Sequence, residues 1–308
     1  MTGAAQHEPA RLPARPAAIL VAGPTASGKS ALALTLAERL RGAVINADSM
    51  QIYRELRVLT ARPTDEDLAR APHALYGVRP AAEAGTVAWW RDAALAEMTR
   101  AREAGRVPIL CGGTGLYFRS LTEGLSEIPA VPEAERAEAR RLLAEEGAPA
   151  LHARLAARDP ETAAGLRPGD SQRVARAYEV VTGTGRGLLA WQRAGGGKAA
   201  PWRFLAILLD PPRDELRAAI AARWHAMIVS GAVEEARALD ALGLDAALPA
   251  MRAHGVPELL AMLAGQMTMK AASHRAILNT GQYTKRQSTW FRHHALAPPE
   301  RSYKIALR

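Results

Sequence analysis

Residues Gly23–Ser30 read GPTASGKS and satisfy every fixed position of the phosphate-loop pattern G-x-x-x-x-G-K-[ST]. This stretch constrains the fold more than any other, because such a loop works only between a buried strand and a helix. Both are written beside it. Ala17–Ala22 (AAILVA) is a short apolar run suited to a buried parallel strand, and Ala31–Leu40 (ALALTLAERL) repeats apolar residues at helical spacing. Gly23 and Gly28 permit turns that a side chain would block. The loop amides then point inward, and the following helix presents its positive end to an anion. Lys29 adds a mobile cation, and Ser30 can hold Mg2+ against phosphate oxygens. The product is a cradle for a diphosphate or triphosphate. A glycine turn that binds nothing is the bland alternative, and the strand and helix on either side argue against it.

Further strands are expected at Ala43–Ala47, Val107–Cys111 and Phe204–Asp210, giving an α/β fold with a parallel sheet flanked by helices. Ligands in such sheets sit at the carboxyl ends of strands. Asp48 follows the second strand, where it would lie near the cradle or merely cap a helix. The third strand runs into Gly112-Gly113-Thr114-Gly115. Many phosphate-loop ATPases carry there an acid that organises magnesium. Its absence counts against simple ATP hydrolysis. Asp210 precedes two prolines and reads as a turn residue, Arg62 as a candidate phosphate contact, and His73 as structural. Thr86–Ala104 reads as a long amphipathic helix in which Trp89 and Trp90 pack.

From Val131 to Arg193 the strand signals vanish. Helices are expected over Glu133–Glu146, Ala150–Arg158 and Ser171–Thr182. The organisation expected is a disordered leader over 1–16, an α/β core over 17–125 and 200–308 ending in basic helices, and an all-helical insertion over 126–199. After Asp214–Ser230 the remaining chain reads as helical.

The formal charge is +9 and the pI about 10.2, which favours a polyanionic partner provided that the cations cluster. They do. No acid stands between Glu258 and Glu300, an interval holding Lys270, Arg275, Lys285, Arg286 and Arg292 with Trp290 and Phe291 among them. Cations interleaved with aromatics suit looped or single-stranded RNA. The single cysteine, Cys111, excludes an internal disulfide framework and fits a reducing, cytoplasmic compartment. No apolar run is long enough to span a bilayer. No obligate protein partner or coiled-coil seam is evident, so a monomer is expected.

Taken in order, these landmarks resemble the tRNA dimethylallyltransferases, also called tRNA isopentenyltransferases or the IPP transferase family. GPTASGKS at Gly23, NADSMQIY at Asn46, TARP at Thr60, GGTGLYF at Gly112, DSQRVARAYEV at Asp170 and KRQSTWFR at Lys285 carry the resemblance. It implies a P-loop NTPase-like core with an inserted helical subdomain that contacts tRNA. It also implies transfer of a dimethylallyl group from dimethylallyl diphosphate to N6 of adenosine-37, beside the anticodon of tRNAs reading codons that start with U. A phosphate-loop kinase and an ATP-gated RNA-binding protein are the rival readings.

The resemblance distributes roles. Gly23, Pro24, Thr25, Ala26, Ser27, Gly28, Lys29 and Ser30 would bind the diphosphate, with Ser30 on Mg2+. Asp48, Thr114, Lys29 and Arg223 would be catalytic, Asp48 as general base. The anticodon stem-loop would lie along Asp48, Ser49, Met50, Gln51, Thr114, Arg136, Gln172, Arg173, Val174, Ala175, Arg176, Arg252, Lys285, Arg286 and Gln287. Three positions depart from the family pattern. Val256-Pro257 follows Gly255 where Tyr and a basic residue are usual, Gly281 replaces an arginine, and Leu59 replaces a glycine.

Overall fold

The computed structural model describes residues 17–306, so the expected leader over 1–16 lies outside the described residues. In chain order the elements are β1 (Ala17–Ala22), α1 (Lys29–Leu40), β2 (Gly42–Asn46), α2 (Asp65–Arg70), β3 (His73–Ala74), α3 (Val87–Glu103), β4 (Val107–Gly112) and α4 (Gly115–Thr122). Four helices follow, α5 (Glu133–Arg158), α6 (Pro160–Ala164), α7 (Ser171–Thr184) and α8 (Leu188–Ala194). The chain closes with β5 (Arg203–Leu209), α9 (Arg213–Val229), α10 (Ala232–Asp240), α11 (Val256–Leu263), α12 (Met269–His293) and β6 (Ser302–Ile305). These form two compact units, one of residues 17–122 with 200–306 and one of residues 123–199.

The first unit is built on one sheet of order β3-β2-β4-β1-β5-β6, with every pairing parallel. Neighbouring residues along a strand face opposite sides. Leu20, Ile45 and Leu110 enter one core with Trp90, Met98 and Phe118. Val21, Val44 and Ile109 enter the other with Ala33, Leu34 and Ala37 of α1. Burial on both faces is why these strands read as continuous apolar runs. Because the strands run parallel, their carboxyl ends share one edge. Ala22 pairs with Gly112 and Asn46 with Cys111, so the loops after β1, β2 and β4 start side by side.

The expectation of an all-helical tail fails at β6, which adds to the sheet through β5. Its four residues are mostly exposed and carry no apolar alternation, so only the partner strand defines it. Trp90 packs as expected, stacked on Tyr117 at 4.1 Å between ring centroids. His73 is structural, with Nδ1 2.8 Å from the Ala71 carbonyl oxygen.

The second unit is helical. α5 is interrupted at Gly147 (φ 81°, ψ 168°), two residues before Pro149, so it comprises two helices. Leu142, Leu151, Leu155, Val174, Ala177 and Tyr178 form its core.

Candidate active site

The loop after β1 turns into α1 through Gly28, whose φ of 82° lies in the left-handed region that glycine enters freely. Ala26 is also left-handed, at φ 64°, a conformation that costs a residue with a side chain about 1–3 kcal/mol. The amides of Lys29 and Ser30 open α1 and have no partner within the helix. Lys29 is buried, and its Nζ donates to the Pro24 carbonyl at 3.2 Å. Burial pushes its ammonium below the ordinary lysine range; Asp48 opposes that shift and Arg223 adds to it. A bound diphosphate would favour the charged form. Ser27 Oγ is buried with no hydrogen-bond partner. One expected group is missing from the cradle: the Thr25 amide donates instead to Gln287 Oε1, at 2.9 Å. Beneath the loop, burial raises the Cys111 thiol to about 11, which leaves it unreactive.

Asp48 begins the loop after β2. Its amide donates to Asn46 Oδ1 at 2.8 Å, and its Oδ1 accepts from the Met50 amide at 2.9 Å. Asn46 is fully buried and is fixed in turn by the Trp90 indole, which donates to its carbonyl at 2.8 Å. No helix follows Asp48, so it caps a turn with one oxygen only. Oδ2 has no hydrogen-bond partner among the described residues. Thr114 laces the neighbouring loop to this one. Its Oγ1 accepts from the Ser49 amide at 2.9 Å, and its amide donates to Ala47 O at 3.2 Å.

Asp48 opens onto a pocket that it lines with Thr25, Met50, Leu59, Arg223, Trp224, His254 and Tyr283, among others. Arg223 Nη2 donates to Thr60 O at 3.2 Å, whereas Nε is buried without a partner. Burial pushes its guanidinium below the usual range, against the field of Asp48. The loop that supplies Thr60 is held by a residue the sequence does not advertise. The Glu235 carboxylate accepts from the amides of Arg57, Val58 and Leu59 at 2.7, 2.7 and 2.8 Å. Tyr283 is a further residue the sequence does not mark; its ring lies 4.6 Å from that of His254, and burial pushes the imidazole below its ordinary pKa.

The expected RNA contacts divide. Lys285 and Arg286 are exposed on α12, and Arg252 is exposed at the end of a short 3-10 turn. Gln51 donates its amide to Thr60 O at 2.8 Å and Ala61 O at 2.9 Å, so it braces the loop. Gln287 is buried and occupied inside the protein. Arg62 is a brace too, its Nη1 donating to the carbonyls of Tyr53 and Arg54. In the helical unit, Gln172, Arg173 and Arg176 are exposed on α7, whereas Val174 faces the core and Ala175 is half-buried. Arg136 pairs with Glu133 at 3.2 Å.

Of the departures, Val256 is a core residue and Pro257 stands in the first turn of α11. Neither Val256 nor the helix-starting proline needs an RNA to explain it. Leu59 lines the pocket. Gly281 lines a groove between α9 and α12 with Arg213, Arg217, Lys285 and Arg292, and a Cβ there would meet open space.

This arrangement has relatives. The family model described as IPP transferase matches residues 51–294. The chain is 58% identical over 291 residues to the tRNA dimethylallyltransferase of Granulibacter bethesdensis, covering 94% of this chain and 91% of that one. It is 60% identical over 290 residues to that of Gluconacetobacter diazotrophicus, covering 94% and 87%. Among solved structures, the tRNA isopentenylpyrophosphate transferase of Bacillus halodurans matches with a TM-score of 0.65 at 32% identity, over 95% of this chain and 90% of that one. A eukaryotic dimethylallyltransferase acting on tRNA matches with a TM-score of 0.75 over 90% of this chain and 70% of that one; at 23% identity that likeness speaks for the fold alone. By identity, coverage and fold, the chain belongs to the IPP transferase family, the tRNA dimethylallyltransferases.

Proposed function

We propose that this chain transfers the dimethylallyl group of dimethylallyl diphosphate to the exocyclic N6 of an adenosine beside the tRNA anticodon. One observation carries the assignment of groups. A single pocket joins a carboxylate with one free oxygen, Asp48 Oδ2, to a buried guanidinium nitrogen without a partner, Arg223 Nε, at the mouth of a phosphate loop. The allylic C–O bond breaks as the N6–C bond forms, and diphosphate leaves with the bonding electrons. Asp48 Oδ2 accepts the proton that N6 releases. Lys29, Arg223 and the loop amides meet charge that grows on the diphosphate as the bond breaks, so they stabilise the transition state more than the bound donor. Mg2+ would be held by Ser30 together with diphosphate oxygens and would neutralise part of that charge. Among the described residues no cluster of His, Cys, Asp or Glu could hold a metal ion, which suits an ion bound mainly through substrate oxygens.

The adenine must leave the anticodon-loop stack to enter the pocket, at a cost of a few kcal/mol. Contacts from Arg252, Lys285 and Arg286 in the core unit, and from Gln172, Arg173 and Arg176 in the helical unit, are proposed to offset it. No helix among the described residues is long and apolar enough to cross a membrane. We place the reaction in the cytoplasm with its tRNA.

Incubation with dimethylallyl diphosphate and unmodified tRNA, followed by mass analysis of nucleosides, tests the reading. Prenylated adenosine is expected. ATP hydrolysis or phosphorylated product without prenylation would replace this reading by a kinase or an ATP-gated binder. A second expectation concerns the RNA side. Lys285→Ala and Arg286→Ala raise the KM for tRNA, and each reduces the slope of log affinity against log salt by about one. The KM for the donor stays the same. An unchanged slope would remove these two residues from the RNA path.

A further inference from the structure

α12 presents two faces near its C-terminal end. Lys285 and Arg286 are exposed, whereas Gln287 is buried at 5% exposure. Both ends of the Gln287 carboxamide are engaged. Its Oε1 accepts from the Thr25 amide at 2.9 Å and lies 3.3 Å from Thr25 Oγ1. Its Nε2 donates to the Gly113 carbonyl at 2.9 Å. A Cβ at residue 113 would lie 2.2 Å from that nitrogen, so the close approach needs glycine there. The next residue, Thr114, holds Ser49 beside Asp48.

From this geometry we infer that Gln287 is a positioning residue that sets the spacing between the donor loop and the acceptor loops. The inference rests on the prenyl-transfer reading above. One carboxamide clamps the third residue of the phosphate loop to the loop that carries Thr114, and Thr114 in turn fixes the Asp48 turn. No other described side chain is bonded to both loops. Transfer requires the allylic carbon and N6 to meet at near-contact distance, and a displacement of about 1 Å in such a site can cost 10²-fold in rate. The role also explains why the glutamine is internal although the two residues before it face solvent. Its polar atoms are spent on Thr25 and Gly113, which leaves it to act through those loops.

The test compares the wild type with Gln287→Met, which keeps the side-chain volume and removes both the donor and the acceptor. Prenyl transfer by the wild type is measured first; its absence would sink the reading of function, not the clamp. With an active wild type, Gln287→Met is expected to lower kcat about 10²-fold. Its Kd for inorganic diphosphate is expected to weaken roughly tenfold, and its Kd for tRNA by filter binding to stay within about twofold. Weakened tRNA binding with kcat unchanged at saturation would overturn the inference in favour of a direct RNA contact. Unchanged values throughout would overturn it outright. If Gln287→Met does not fold, Gln287→Glu, which keeps an acceptor for the Thr25 amide, is judged by the same split between kcat and tRNA affinity.

Discussion

Asp48→Asn is expected to lower kcat for prenyl transfer by about 10²–10⁴-fold, the usual contribution of a general base. The corresponding barrier increase is about 2.7–5.4 kcal/mol. The substitution is sharp because it leaves the turn intact. Asparagine retains an oxygen to accept from the Met50 amide, the bond that Asp48 Oδ1 makes at 2.9 Å. The amide that Asp48 donates to Asn46 is main chain and is untouched. What disappears is the anionic acceptor at Oδ2, the atom that has no partner among the described residues. Affinity for tRNA should therefore change by no more than about twofold, and the donor KM should barely move. Asp48→Ala is the contrasting variant, since it removes the turn bond as well and should perturb binding in addition to rate. Single-turnover rates with pre-bound tRNA separate the two effects. Near-wild-type turnover in Asp48→Asn would show that the carboxylate orients the amine without taking its proton.

The residues that local sequence made legible are those whose neighbours along the chain define them. Strand, glycine loop and helix occur within Ala17–Leu40, so the cradle could be read before any contact was known. The position of Asp48 beside a pocket was legible because a buried strand ends two residues earlier and ligands gather at such ends. The break near Gly147 was legible from glycine and proline together. What escaped depends on distant pairing. Glu235 is an ordinary helix residue until the loop at Arg57–Leu59 folds against it. Gln51 and Gln287 sit in motifs that the resemblance assigns to RNA, and both spend their amides inside the protein. A motif marks residues under a shared constraint, but it does not separate a contact from the brace behind the contact. Burial makes that separation, and periodicity supports it only partly. On α7 the exposed Gln172, Arg173 and Arg176 flank the buried Val174, as a helix with one packed face requires.

Lys29→Met should lower kcat/KM for the donor by about 10²–10³-fold, the loss that follows removal of one preorganised group facing developing charge. Its second consequence distinguishes a functional lysine from a structural one. Lys29 is buried, and desolvation outweighs the favourable field of Asp48, so its pKa is depressed in the folded chain. A lysine so depressed binds its proton less tightly folded than unfolded. Folding stability therefore carries a penalty at pH below the folded pKa, and the penalty fades as pH rises towards the ordinary value of 10.5. Methionine keeps the apolar stem and has no charge to desolvate. The variant is thus expected to melt no lower than the wild type, with its relative advantage greatest at the acidic end of the range and shrinking as pH rises. Inorganic diphosphate should raise the melting temperature of the wild type, since it binds only the folded state, and should raise that of Lys29→Met much less. The two measurements move in opposite directions for a charge kept at a stability cost for the sake of an anion. A variant that melted lower at every pH yet was still stabilised fully by diphosphate would make Lys29 a packing residue and leave the loop amides and Arg223 to hold the leaving group alone.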